Sequence, residues 1–120
     1  MTASERLRVF VVEDEALLAL DLENTLADLG HDVVGTAGSI ETALDVLGRL
    51  DTPPDAAIVD ANLGGRSARP VAEALSALGV PVVLASGYGS EELARFGFKT
   101  LSISKPYSPG DVAAALARSR

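Results

Sequence analysis

The stretch LRVFVVED, residues 7–14, is a short, β-branched apolar run that ends abruptly in two acids. A run of this length bounded by polar residues is typical of a strand buried on both faces of a sheet. We therefore predict that residues 7–12 form a strand and that Glu13 and Asp14 follow at its carboxyl end.

The same arrangement recurs along the chain. Four further apolar runs predict strands, at residues 33–34, 56–59, 80–85 and 101–103. Helices are predicted between and after these strands. The first has an apolar stripe of Leu18, Leu22, Leu26 and Leu29 and ends at Gly30; the second spans residues 39–50, with Ser39 as its N-cap and Thr52-Pro53-Pro54 stopping it. A further helix spans residues 71–78 before Gly79, and the last helix begins at Ser108-Pro109-Gly110-Asp111.

Strands that alternate with helices five times predict an α/β fold. Such chains form a parallel sheet with right-handed crossovers and helices on both faces, here a doubly wound five-stranded sheet. A fourth helix between Gly87 and Lys99 is weakly supported, because glycines at both ends leave only about two turns. No Gly-x-Gly-x-x-Gly follows the first strand, which argues against a dinucleotide-binding fold.

The composition is that of one globular domain. The chain has 120 residues, 48% of them hydrophobic and 22% charged, which is enough for one independent core. Its net charge of −7 argues against a nucleic-acid surface, which needs clustered Lys and Arg. The sequence has no cysteine, no export signal and no apolar run of about 18 residues. We therefore predict a cytoplasmic protein with no membrane partner.

Polar residues follow four of the five predicted strands. Glu13 and Asp14 follow the first, Asp60 the third, Ser86 the fourth and Lys105 the fifth. Functional sites of doubly wound sheets lie beyond the carboxyl ends of the strands. The sequence therefore predicts that these side chains gather at one rim of the sheet.

Three carboxylates at one rim favour a bound divalent cation. At about 5 Å, two carboxylates repel by about 3 kcal/mol at an effective dielectric of about 20. Oxygen ligands without His or Cys select a hard ion, and Mg²⁺ suits a site that also admits a phosphate oxygen. In such a site Asp60 would attack a phosphoryl group while Lys105 absorbs negative charge.

Each of these residues also has a purely structural interpretation. Glu13 and Asp14 are compatible with a solvated acidic turn before a helix, Lys105 with a surface lysine, and Ser86 with ordinary loop composition. Pro106 favours a functional Lys105, since a proline there can fix the approach of the lysine through its backbone geometry.

Three other residues are interpreted as solvated groups. His31 follows a glycine that ends a helix, in a turn. Arg66 and Arg69 follow the Asp60 loop, where an arginine can also attract an anionic donor.

With these residues placed, the whole chain, residues 1–120, resembles the receiver domain of two-component response regulators. The resemblance implies a flavodoxin-like sheet of order 2-1-3-4-5 and a phosphoryl donor that is a sensor histidine kinase or a histidine phosphotransfer protein. It implies these roles: phosphoacceptor, Asp60; Mg²⁺ ligands, Glu13, Asp14, Asp60 and the backbone carbonyl of Asn62; switch hydroxyl, Ser86; conserved-type lysine, Lys105.

The segment VVLASGYG, residues 82–89, further resembles the subgroup of stand-alone, single-domain regulators whose fourth strand ends Phe-Ala-Thr-Gly-x-Tyr. Leu84 and Ser86 depart from that pattern. Ser102 stands where receivers usually carry an aromatic switch residue. We therefore predict that output runs through Ser86, Tyr88 and Pro106.

The leading hypothesis is a signalling protein that accepts a phosphoryl group in the presence of Mg²⁺. It would assist its own phosphorylation and dephosphorylation without being an enzyme in the usual sense. Phosphorylation would change a surface that binds a protein partner. One alternative is a receiver domain cut from a larger hybrid kinase or regulator. Another is a metal-dependent aspartyl-phosphate phosphatase. Such enzymes generally need an acid two residues after the nucleophile, where this chain has Asn62.

Overall fold

The computed structural model describes residues 6–87 and 101–119. Five parallel strands form the main sheet: β1 (Arg8–Val12), β2 (Asp32–Ala37), β3 (Ala56–Asp60), β6 (Val82–Ser86) and β7 (Leu101–Ser104). A small antiparallel hairpin, β4 (Asn62–Leu63) and β5 (Arg66–Ser67), follows β3. The helices within these ranges are α1 (Ala16–Asp28), α2 (Ile40–Arg49), α3 (Arg69–Ala77) and α4 (Pro109–Ser119).

The strand order of the main sheet is β2-β1-β3-β6-β7, with every neighbouring pair parallel. Counted among the parallel strands alone, this is the order 2-1-3-4-5, which confirms the predicted doubly wound, flavodoxin-like fold. The strand order reverses between β1 and β3, the position at which open α/β sheets form a crevice beyond their carboxyl ends.

The sheet separates two cores because successive side chains of a strand point to opposite faces. Phe10 and Val12 of β1 belong to the cluster on the face covered by α2 and α3. Val9 and Val11 belong to the cluster on the face covered by α1 and α4. The predicted placement of helices on both faces is therefore confirmed, and the apolar strands are explained by burial on both sides.

The helix ends follow the sequence signals. The Oγ of Ser39 accepts a hydrogen bond of 3.1 Å from a backbone N–H in the first turn of α2. Ser108 and Asp111 exchange side-chain to backbone hydrogen bonds of 3.1 and 2.8 Å, which is the predicted capping box. Gly30 and Gly79 have φ of 89° and 75° after α1 and α3, as helix-terminating glycines require.

Other boundaries differ from the prediction. Strand β2 spans Asp32–Ala37 and not only residues 33–34, because it pairs with β1 on both sides of a register shift at Val34, and the internal Gly35 is paired with Phe10. Helix α3 begins at Arg69, since Pro70 is compatible with a first helical turn. The predicted fourth helix, between Gly87 and Lys99, lies outside the described residues.

The β4–β5 hairpin was not predicted. Its two central residues, Gly64 and Gly65, have φ of 60° and 86°, and positive φ at both positions gives the tight two-residue turn that suits paired strands. Among the helices of residues 6–87 and 101–119, none is long and apolar enough to cross a membrane.

Gly35 and Gly48 offer a matched test of the packing between β2 and α2. A Cβ on Gly35 would lie 3.0 Å from Val46 and 3.2 Å from Phe10, so Gly35→Ala should destabilise the fold by about 1–3 kcal/mol through overpacking. A Cβ on Gly48, inside α2, would meet no atom of the described residues within 4 Å, so Gly48→Ala should stabilise by up to about 1 kcal/mol. Urea denaturation of both variants measures the two effects, and equal signs would contradict this account of the packing.

Candidate functional site

Strand register places the site residues side by side. Val12 pairs with Val59, Asp60 with Ala85, and Ser86 with Ser104. The residues that follow these positions therefore emerge at the same edge of the sheet, as predicted for parallel strands. The backbone N–H of Lys105 donates to the carbonyl of Ser86 at 2.8 Å, which fixes the lysine directly beyond β7.

Asp60 ends β3, a strand with every residue buried, and the aspartate itself is only 7% exposed. Its Oδ1 accepts a hydrogen bond of 3.1 Å from the backbone N–H of Asn62. Its Oδ2 accepts one of 2.7 Å from the Nζ of Lys105. A carboxylate at the end of an apolar strand is thus compensated on both oxygens, as buried charges require.

Glu13 lies beside Asp60 and is 5% exposed. Its Oε1 accepts a hydrogen bond of 3.0 Å from Lys105 Nζ, and its Oε2 accepts one of 3.0 Å from the N–H of Glu15. Burial raises the pKa of Glu13 to about 7, with the negative charge of Asp60 acting in the same direction and the two hydrogen bonds opposing it. This carboxyl group therefore changes its charge close to neutral pH.

For the pKa of Lys105, the neighbouring charges outweigh the effect of burial. Burial alone would lower its pKa, but the hydrogen bonds and charges of Asp60 and Glu13 outweigh burial and raise it. The ammonium group thus remains charged between the two carboxylates. The peptide bond from Lys105 to Pro106 is cis.

Asp14 is exposed, and its Oδ2 accepts a hydrogen bond of 2.9 Å from the N–H of Gly64 in the hairpin. Partial burial acts to raise its pKa, but this hydrogen bond and others outweigh burial, so the pKa lies below its usual value. Asp14 is therefore charged at neutral pH, stabilised first by the backbone N–H of Gly64 and to a smaller extent by the charge of Lys105.

The three carboxylates form one cluster. One oxygen from each of Glu13, Asp14 and Asp60 lies within 4.8 Å of the other two. Three acids beside a single ammonium group leave negative charge unbalanced, and a donor set made only of oxygen suits a hard cation such as Mg²⁺. The chemistry of the donor set therefore fits the predicted metal.

Asn62 and Ser86 lie beside this cluster. The Oδ1 of Asn62 accepts a hydrogen bond of 2.8 Å from Gly65 N–H, so its side chain stabilises the hairpin turn. The role expected of its backbone carbonyl stays a prediction. Ser86 is buried at the end of β6, whereas Tyr88, predicted as an output residue, lies outside the described residues.

One of the three residues interpreted as solvated groups differs from that interpretation. His31 is half-buried rather than solvated, and its Nδ1 accepts a hydrogen bond of 3.1 Å from the N–H of Leu7, which ties the turn to the start of β1. Arg66 and Arg69 are exposed and form ion pairs with Glu41 and Glu73, as expected of solvated charges.

Tyr107 was missed. It is half-buried and packs against the α1/α4 core. Burial raises its pKa, with the nearby charges of Glu13 and Asp60 acting in the same direction. Leu101 and Ile103, at alternate positions of β7, face the same core, but Tyr107 lies beyond the end of that strand, so strand periodicity gave no signal for it.

The first turns of α1, directly after Asp14, carry exposed leucines. Leu17 is 81% exposed, Leu20 54% and Leu18 37%. Leu18 was predicted as part of a buried stripe, but only Leu22 and Leu26 of that stripe are fully buried. The first turns of α1, which begins two residues after Asp14, therefore expose apolar side chains to solvent.

Comparison with known proteins yields no matching family model, but individual proteins match along nearly all of the chain. The transcriptional regulatory protein PdtaR of Mycobacterium tuberculosis is 30% identical over 113 residues, which cover 91% of this chain and 54% of PdtaR. The phyllosphere-induced regulator PhyR of Methylorubrum extorquens is 27% identical over 98% of this chain and 45% of PhyR. The chain thus spans about half the length of these curated relatives.

Solved structures match over comparable lengths. SdrG from Sphingomonas melonis is 39% identical, with a TM-score of 0.79 and 98% of each chain covered. The response regulator receiver domain of Erythrobacter litoralis PhyR is 26% identical, with a TM-score of 0.83, 95% of this chain and 89% of that chain covered. The Phe-Ala-Thr-Gly-x-Tyr subgroup stays a prediction. Sequence identity, coverage and strand order agree, and the chain belongs to the receiver-domain family of response regulators.

Proposed function

We propose that this receiver accepts a phosphoryl group on Asp60. The observation that supports the proposal is the position of Lys105, whose Nζ lies 2.7 Å from Asp60 Oδ2 within a cluster of three carboxylates. A nucleophilic carboxylate needs positive charge nearby, because both it and the incoming phosphoryl group are anionic. The lysine supplies one such charge from the side of β7.

The transfer forms a bond from an Asp60 oxygen to phosphorus while the bond from phosphorus to the donor's imidazole nitrogen breaks. The nitrogen keeps the electron pair and takes a proton from solvent, and Asp60 becomes an acyl phosphate. Lys105 can follow the negative charge onto the phosphoryl oxygens, since it already contacts the attacking carboxylate. Buried Ser86, at the end of the neighbouring strand, is the hydroxyl that we assign to the phosphorylated state.

Glu13, Asp14 and Asp60, with the backbone carbonyl of Asn62, are the groups that would hold Mg²⁺. When bound, a divalent cation offsets the repulsion between the carboxylate and the phosphoryl oxygens. The chain's own contribution is to hold the acids within 4.8 Å of one another, so that no large rearrangement is needed to bind the ion.

The donor that we propose is a phosphorylated histidine on a sensor kinase or a histidine phosphotransfer protein. The exposed patch of Leu17, Leu18 and Leu20 lies on the helix that begins two residues after Asp14. Exposed apolar patches beside a reactive group are typical protein-docking surfaces. A downstream protein partner would then recognise the phosphorylated form.

Phosphatase activity is the second candidate. Rapid hydrolysis of the acyl phosphate generally needs a general acid or base beside the nucleophile. The residue two positions after Asp60 is Asn62, whose side chain is held by Gly65 in the hairpin. We therefore favour a phosphoacceptor with slow turnover.

Asp60→Ala should abolish phosphoryl uptake from acetyl phosphate in the presence of Mg²⁺, since it removes the nucleophile. Intact-mass spectrometry would show a gain of about 80 Da on the parent chain and none on the variant. Asp51→Ala, at an exposed position, is the control and should behave as the parent. Equal labelling of the Asp60 variant would exclude this residue as the acceptor.

Mg²⁺ should raise the melting temperature more at pH 8 than at pH 6. The folded pKa of Glu13, about 7, lies above its usual value, so proton binding by Glu13 favours the folded state below that pKa, and this stability is lost as the pH rises through it. Loss of the proton also makes Glu13 available to the ion. Melting curves of the parent and of Glu13→Gln with and without Mg²⁺ measure both effects. A magnesium effect with the same pH dependence in Glu13→Gln would contradict this role.

Leu17→Ser combined with Leu20→Ser should slow phosphoryl transfer from phosphorylated histidine kinases by about tenfold or more, as expected for apolar anchors of an interface. Uptake from acetyl phosphate should stay at the parent rate, because the acid cluster is untouched. Leu44→Ser with Leu78→Ser, two exposed leucines on α2 and just after α3, is the control. Equal slowing by both pairs would argue against docking on α1.

A further inference from the structure

The β4–β5 hairpin contacts two carboxylates at the carboxyl ends of two different strands: Asp60 ends β3, and Asp14 lies two residues beyond β1. The N–H of Asn62 donates to Asp60 Oδ1 at 3.1 Å. The N–H of Gly64 donates to Asp14 Oδ2 at 2.9 Å, across 50 residues of sequence. One short hairpin thus bridges the carboxyl ends of β1 and β3 through backbone donors alone.

The hairpin is anchored independently of those contacts. Leu63 is buried in the α2/α3 core, and the N–H of Ala68 donates to the carbonyl of Ala61 at 2.9 Å, which closes the base of the hairpin. Arg66 forms an ion pair of 2.7 Å with Glu41, but both side chains are largely exposed, and such pairs contribute little. Apolar burial and turn geometry therefore fix the position of the Gly64 amide.

Of the three carboxylates, Asp14 is the one that accepts a hydrogen bond from the Gly64 N–H. Lys105 donates to Glu13 and Asp60, whereas Gly64 donates to Asp14. Hydrogen bonds from a backbone N–H to a carboxylate are shorter and stronger than neutral ones. An exposed aspartate with several accessible rotamers would otherwise lose conformational freedom on binding a cation.

We propose that Gly64 is a positioning residue for divalent-cation binding: its N–H holds the Asp14 carboxylate within the acid cluster before the ion arrives. The proposal rests on the Mg²⁺ site of the proposed function. Groups that orient metal ligands through hydrogen bonds typically change metal affinity by about 10–100-fold when they are lost.

Gly64 and Gly65 form a matched pair for the test. Both have positive φ, at 60° and 86°, and a Cβ on either would meet no described atom within 4 Å. An alanine therefore introduces similar backbone strain at both positions. The amides differ, since Gly64 donates to Asp14 and Gly65 donates to Asn62 Oδ1.

Isothermal titration of the full chain with Mg²⁺ measures the effect. Gly64→Ala should weaken binding by about tenfold, and Gly65→Ala should weaken it much less. Gly64→Asn should restore most of the affinity, because asparagine tolerates positive φ. Equal affinities of Gly64→Ala and Gly65→Ala would overturn the proposal, because the turn would then matter only as structure.

Nuclear magnetic resonance gives a second readout that does not need a folded Gly64 variant. In Asp14→Ala without metal, the Gly64 amide proton should move upfield and exchange faster, while the Gly65 amide should be unchanged. An unmoved Gly64 amide would overturn the proposal. If the parent chain binds Mg²⁺ and takes up a phosphoryl group, and Gly64→Ala binds Mg²⁺ with the same affinity as the parent, only the role of Gly64 would be overturned. A parent that does not bind Mg²⁺ would overturn the metal site as well.

Discussion

Repulsion among the three carboxylates is the constraint on which the rest of the site depends. At the 4.8 Å limit of this cluster, two full charges repel by about 3 kcal/mol at an effective dielectric of about 20. Three effects together offset this repulsion: Lys105 binds Glu13 and Asp60, backbone amides bind Asp60 and Asp14, and Glu13 keeps a proton to about pH 7. The rim is thus built around charge that the fold alone does not neutralise.

The parallel sheet makes this arrangement possible. Residues far apart in sequence become neighbours because strands that run the same way end at the same edge, with Val12 beside Val59 and Asp60 beside Ala85. Burial on both faces holds those strands in register. Asp60 can therefore be nearly buried and still reach the charged rim.

The gathering of the acids and the lysine at one rim could be predicted from the sequence, because each follows an apolar strand and the ends of parallel strands lie together. The contact of Gly64 with Asp14 could not, since the β4–β5 hairpin was not predicted and the direction of the Gly64 amide depends on where the hairpin packs. The apolar stripe of α1 predicted the buried face of this helix only in part. Periodicity marked Leu18 with Leu22 and Leu26, but only Leu22 and Leu26 are buried, and Leu18 in the first turn of the helix is 37% exposed.

Stability and function are opposed at this rim. Burying Glu13 with a pKa of about 7 disfavours its charged form, and that cost falls when a cation shares the site. A phosphoryl group on Asp60 would add negative charge where Lys105 already serves two acids, so the groups that touch Asp60 must redistribute. These groups are the lysine after β7 and the hairpin amide of Asn62. Both belong to segments that follow strand ends, but Leu63 of the hairpin and Tyr107 after the lysine pack against the two cores, so a shift of either segment reaches one of the cores.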